Sequence, residues 1–188
     1  MSSIAAAKAG SAIGSMFFSC FGTAWLVWWC LEVFGPRPEL LILFVLCGCF
    51  LLGLSIRQFR QNKSAYKAEA DTPERKRTGR IFNIVNGFQW TLVIGVAFVL
   101  AQLGLNAWIL PAIIFIVGVH FLPLAAVFKA PRHYITGIAL VLFAIVYPFV
   151  VSSGPESPIG LLGAGSILWV SAISGLLPSL RAHASVRG

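Results

Sequence analysis

Acidic residues are scarce in this chain, with six Asp and Glu among 188 residues. None lies mid-way along a long apolar run; Glu32 comes near the end of the first one. That shortage argues against enzymes that hold divalent ions with clustered carboxylates. All charged residues together make up 11%, where a soluble domain carries about 25%. So few charges cannot cover a water-soluble globule. Cysteine offers little more: Cys20, Cys30, Cys47 and Cys49 all sit in apolar stretches, with no CxxC pair. They read as small packing residues rather than zinc ligands or a redox couple. The chain also lacks HExxH, GxSxG, a Walker loop and any GxGxxG in a strand–helix setting.

Apolar length is what the sequence has in abundance. Hydrophobic residues reach 58% and mean hydropathy is +0.87. A helix needs about 20 apolar residues to cross a bilayer, and six segments meet that, at 11–34, 38–56, 81–103, 107–128, 134–151 and 159–180. The breaks within pairs are Gly35-Pro36-Arg37-Pro38, Gly104-Leu105-Asn106 and Ser152 to Pro158, clusters of residues that end helices. The first run exceeds the roughly 7–15 residues of a signal-peptide core, so it is expected to be retained as a helix. The spacing predicts an all-α membrane protein, a six-transmembrane-helix bundle of three hairpins forming one domain over 1–188, with a basic loop at 57–80. A faint repeat fits the hairpins: Phe50-Leu51-Leu52-Gly53-Leu54, His120-Phe121-Leu122-Pro123-Leu124 and Gly175-Leu176-Leu177-Pro178-Ser179 end the even-numbered helices.

The net charge of +8 would suggest nucleic acid in a soluble protein. Its distribution points elsewhere. With the N-terminus inside, Lys8, the eight basic residues from Arg57 to Arg80, Lys129, Arg132, Arg181 and Arg187 all fall on one side, 13 of the 14 Lys and Arg. Only Arg37 is left outside. This is the positive-inside pattern, which places both termini in the cytoplasm and excludes nucleic acid as the partner. Thr72-Pro73-Glu74 carries an N-cap followed by Pro at the first helical position, so the third helix is expected to start before its apolar run. The loop charges serve topology first and anionic lipid headgroups or a protein partner second. Trp25, Trp28, Trp29 and Trp108 lie at the expected outer boundary, while Trp90 and Trp169 lie deeper, as packing residues.

Polar side chains within the spans are costly and therefore candidates for function. Asn83, Asn86 and Gln89 cover an arc of about 120° on the third helix at 100° per residue. They form the candidate binding face together with His120 on the fourth. Counting from the Gly104–Leu105 turn sets Gln89 opposite His120, and Asn86 opposite Pro123, whose missing N–H frees the Val119 carbonyl. A polar cluster of Asn86, Gln89 and His120 between these helices is the expectation. His133 and His183 are assigned to cytoplasmic segments, so His120 has no titratable company. No catalytic residue, metal ligand or cofactor follows from this. Glu32 lies near the outer boundary, where it reads as a topological end-charge, with pairing to Arg37 as the alternative. Ser11, Ser15, Ser19 and Thr23 on the first helix, and Gly160/Ala164 and Ser171/Gly175 on the sixth, recur at the four-residue spacing that lets helices approach closely.

The stretch Gly118-Val119-His120-Phe121-Leu122-Pro123-Leu124-Ala125, followed by Tyr134-Ile135-Thr136-Gly137, resembles a segment of small uncharacterised bacterial membrane proteins. The resemblance covers about a quarter of the chain. It implies a bacterial inner-membrane location and brings no activity. Three functions remain open from sequence: a small-solute transporter or channel-like protein with a path along the third and fourth helices, a non-catalytic accessory or structural subunit, and an embedded enzyme using His120. Membrane lipids, a membrane-protein partner or a second copy are the expected partners.

Overall fold

The computed structural model describes residues 2–70 and 72–184, with side chains described for 4–68 and 72–177. The side chains of Arg181 and His183, the Pro178-Ser179 end of the repeat, and Arg187 altogether lie outside the described residues. Six long helices follow in order: α1 (Ser2–Phe34), α2 (Pro38–Ala70), α3 (Pro73–Gln102), α4 (Ile109–Val127), α5 (Pro131–Val150) and α6 (Ile159–Ala184), with short 3₁₀ turns at Asn106–Trp108 and Gly154–Glu156. The described residues include no strand, and all six helices are long and apolar enough to span a membrane. The class is all-α and membrane-spanning by composition.

The helix ends follow from local chemistry. Gly35 and Gly104 take positive φ, both 70°, just after α1 and α3, a backbone region that costs glycine nothing. Pro38, Pro73 and Pro131 each open a helix, where a missing N–H loses no hydrogen bond. At α3 the Arg75 N–H donates to Thr72 Oγ1 at 3.4 Å, the N-cap its sequence announces. Residues 57–70 are a correction: they are helix, not loop. Their side chains are polar, yet they keep the helix going and dock it. Gln58 donates to the Lys8 carbonyl at 3.2 Å, Asn62 to the Gln58 carbonyl at 2.8 Å, and the Arg75 guanidinium stacks 3.8 Å from the Tyr66 ring.

The chain divides into two compact units, residues 1–76 with 168–188, and residues 77–167. In the first, the small-residue stripe of α1 is a packing face. Ser15 and Ser19 are fully buried, Ser11 Oγ donates to the Gly175 carbonyl at 2.9 Å, and the Trp169 indole donates to Thr23 Oγ1 at 3.1 Å. Gly48 of α2 faces the Thr23 side chain so closely that any side chain there would strike it. Trp169, half-buried, also packs against Phe44, the packing role expected of it. Glu32 accepts from the Trp28 indole at 3.0 Å, rather than from Arg37, because the two lie one helical turn apart.

In the second unit α4 and α5 meet backbone to backbone at Gly118 and Gly137. A Cβ on Gly137 would lie 2.7 Å from the Gly118 carbonyl oxygen, and one on Gly118 would lie 2.9 Å from the Val141 nitrogen. Gly160 of α6 is closed off by Leu110 and by the Tyr147 ring, whose hydroxyl donates to the Pro155 carbonyl at 3.1 Å. Helix α3 differs from its neighbours in having no buried residue. Trp90, expected in the packing, is 50% exposed on its outer face.

Candidate functional site

The candidate site lies in the second unit, where His120 of α4 turns toward α3. Its imidazole hydrogen-bonds the Val85 backbone, and since Nδ1 has no hydrogen-bond partner the donor is Nε2. An imidazole that donates through one nitrogen to a carbonyl is fixed in the tautomer whose other nitrogen carries a lone pair. Nδ1 is therefore a buried acceptor without a hydrogen-bond partner. Val85 directly precedes Asn86 and sits one turn before Gln89, so His120 reaches the stretch of α3 that carries both amides. The group that receives it is the main chain. Asn86 and Gln89 are half-buried on the inner stripe of α3, whereas Asn83 is exposed. Asn83 stands farthest from the middle of that stripe, about 100° of rotation from Phe82. Pro123 is exposed.

The structure adds a neighbour that sequence reading assigned to a solvated segment. His133 is buried, 7% exposed. The Phe121 ring lies 5.6 Å from His120 and 6.2 Å from His133, so one aromatic ring touches both imidazoles. The reason is the tightness of the turn after α4. Lys129 takes φ 51° and the Ala130 N–H returns to the Ala125 carbonyl at 3.0 Å, which closes the helix end in a Schellman pattern. Helix α5 can then restart at Pro131, and His133 falls in its first turn. The signal was present in the sequence, since Pro131 marks a helix start and puts His133 two residues inside it.

Hydroxyl groups along the spans mostly close on their own helix. Ser19, Thr23, Ser55, Thr91 and Thr136 each donate to the carbonyl four residues back, at 2.6–3.1 Å. A hydroxyl satisfied this way does not reach for a solute. Carboxylates are absent from the neighbourhood as well: in residues 77–167 the sole acid is Glu156, in the turn beyond the far end of α5. The site thus offers one unpartnered ring nitrogen, two amides on the facing stretch of α3 and an aromatic ring set edge-on to His120, with no acid to form a relay or a cation cage. Comparison with protein-family models, with curated proteins and with solved structures gives no match.

Proposed function

We propose that the chain is a non-catalytic subunit of a membrane assembly, docked on another transmembrane helix through the exposed face of α3. One observation carries the reading. On a 30-residue helix with no buried residue, Asn83, Gly87, Thr91 and Gly95 of its apolar stretch recur every fourth position and are all exposed. Nothing lies within 4 Å of where a Cβ on Gly87 or Gly95 would be. Ile84 and Phe88 rise on one side of this furrow, and Trp90, Ile94 and Phe98 on the other. Apolar surface alone does not drive helices together in lipid; close approach over small residues does. A furrow between large side chains suits an incoming helix.

The test is the mass of the particle extracted in mild detergent. The parent protein is expected above its own 20.3 kDa, held to a protein partner. Gly87→Ile with Gly95→Ile is expected to fold, since both sites open on free space, and to run as a 20.3 kDa monomer. Overpacking a helix contact costs about 1–3 kcal/mol per site, roughly fivefold to a hundredfold in affinity. A parent that runs as a monomer, or a variant that keeps its partner, refutes the reading.

The buried Nδ1 of His120 favours a second reading, a transport path between α3 and α4 on which this nitrogen takes up a proton or a hydrogen-bond donor. The charge partition and the resemblance to small bacterial membrane proteins support insertion in a bacterial cytoplasmic membrane with both termini inside. Cysteine labelling of intact cells, in a variant without native cysteines, checks the orientation. Ser157 would be a poor probe position, being 2% exposed. Ser153→Cys and Ser64→Cys sit at exposed positions, and only Ser153→Cys is expected to react with an impermeant maleimide. The reverse pattern overturns the orientation.

A further inference from the structure

The first unit carries two recesses on α2 whose lining residues from that helix share one of its faces. The upper, of about 400 Å³, is lined by Gly53, Ile56, Arg57, Arg60 and Gln61. The lower, also about 400 Å³, is lined by Leu46, Cys47, Phe50, Leu51, Trp169 and Ile173. Leu46, Phe50, Gly53, Arg57 and Arg60 fall at intervals of four, three, four and three residues, which keeps them on a single stripe, and all five are exposed. Polarity changes once along that stripe. Below Gly53 the lining is apolar throughout; above it stand two guanidinium groups and an amide. From Leu46 to Arg57 the helix rises roughly 16 Å at 1.5 Å per residue, close to half of a hydrocarbon core of about 30 Å.

We infer that this groove is a binding site for one anionic glycerophospholipid in the leaflet on the basic side, with its phosphate on Arg57 and Arg60 and an acyl chain along Phe50, Leu46 and Trp169. The charge pattern selects an anionic headgroup over a zwitterionic one. No carboxylate occurs on α2 between Glu39 and Glu69, while Arg57, Arg60, Lys63 and Lys67 fall within that interval. Arginine presents paired donors that match phosphate oxygens. Gly53 lies on the stripe between Phe50 and Arg57, and with nothing within 4 Å of a Cβ placed there it leaves a notch at the depth where headgroup meets chain. The groove belongs to a different unit from His120 and does not depend on the assembly reading.

The experiment is lipid add-back to delipidated protein, counting bound molecules by native mass spectrometry with phosphatidylglycerol and phosphatidylcholine as probes. The parent is expected to hold one phosphatidylglycerol with roughly tenfold preference over phosphatidylcholine, since each basic group near the surface contributes on the order of 1 kcal/mol toward an anionic lipid. Arg57→Gln with Arg60→Gln is expected to abolish the preference without changing lipid-free thermal stability. Gly53→Phe, whose Cβ has nothing within 4 Å of it and whose ring would fill the notch, is expected to weaken both lipids. Arg77→Gln with Arg80→Gln, exposed and outside the groove, is expected to leave the preference intact. The inference fails if the parent shows no preference, if the groove variants bind as the parent does, or if the Arg77/Arg80 control loses the preference equally.

Discussion

Gly137→Leu is expected to cost the protein about 3 kcal/mol or more, the upper end of what overpacking a well-filled contact exacts. The size follows from what stands in the way. The nearest atom to a new Cβ is the Gly118 carbonyl oxygen at 2.7 Å, followed by Leu122 and the Phe121 Cβ at 3.0 and 3.2 Å. A flexible side chain can swing aside, but a carbonyl fixed in a helix cannot, so α4 and α5 must separate over their length. Separation also moves Phe121, the ring against both His120 and His133. In heat-induced aggregation followed by size exclusion in mild detergent, the midpoint is expected to fall by roughly 6–12 °C. Gly10→Leu serves as the control. Gly10 is exposed with nothing within 4 Å, and its midpoint is expected to stay near that of the parent. A Gly137→Leu protein as heat-stable as the parent would show that the α4–α5 contact is not closed at these glycines.

Which features could be read from the sequence depended on the physics that each one records. Spanning helices are a matter of uninterrupted apolar length, so the six runs and their Gly/Pro breaks were plain. The α1 stripe of Ser11, Ser15, Ser19 and Thr23 was equally legible, because its four-residue period is not interrupted by other signals. The helical state of residues 57–70 was hidden because hydropathy falls where the helix continues, held by contacts such as Gln58 on the Lys8 carbonyl. The furrow on α3 escaped notice for a different reason. Gly87 and Gly95 are interleaved with Phe88, Trp90 and Phe98, and composition alone cannot say which side of a uniformly apolar helix is left uncovered. Trp90 was misplaced by the same ambiguity. His133 was missed because its basic neighbours Lys129 and Arg132 read as solvated loop, although Pro131 already signalled a helix.

The remaining expectation separates a structural His120 from a proton-handling one. His120→Ala is expected to destabilise the protein by about 2–3 kcal/mol. Part of that is the side-chain volume lost beside Phe121, and part is the hydrogen bond to the Val85 backbone, typically about 0.5–1.5 kcal/mol net. The helical carbonyl keeps its own ladder bond, so the loss stays short of that for an orphaned buried group. His120→Gln keeps an N–H donor of similar reach and replaces much of the volume, but it has no nitrogen that can take up a proton. If His120 ties α4 to α3, the glutamine variant is expected to recover most of the thermal stability that alanine loses. Both variants should then leave the mass of the extracted assembly unchanged, because the furrow through Gly87 and Gly95 lies on the exposed side of α3. If Nδ1 instead carries protons along a path between these helices, proteoliposomes of the parent will show a proton flux. That flux will vanish in His120→Gln although the protein is stable. Stability restored together with flux abolished would overturn the subunit reading and move the function to the α3–α4 face of Asn86, Gln89 and His120.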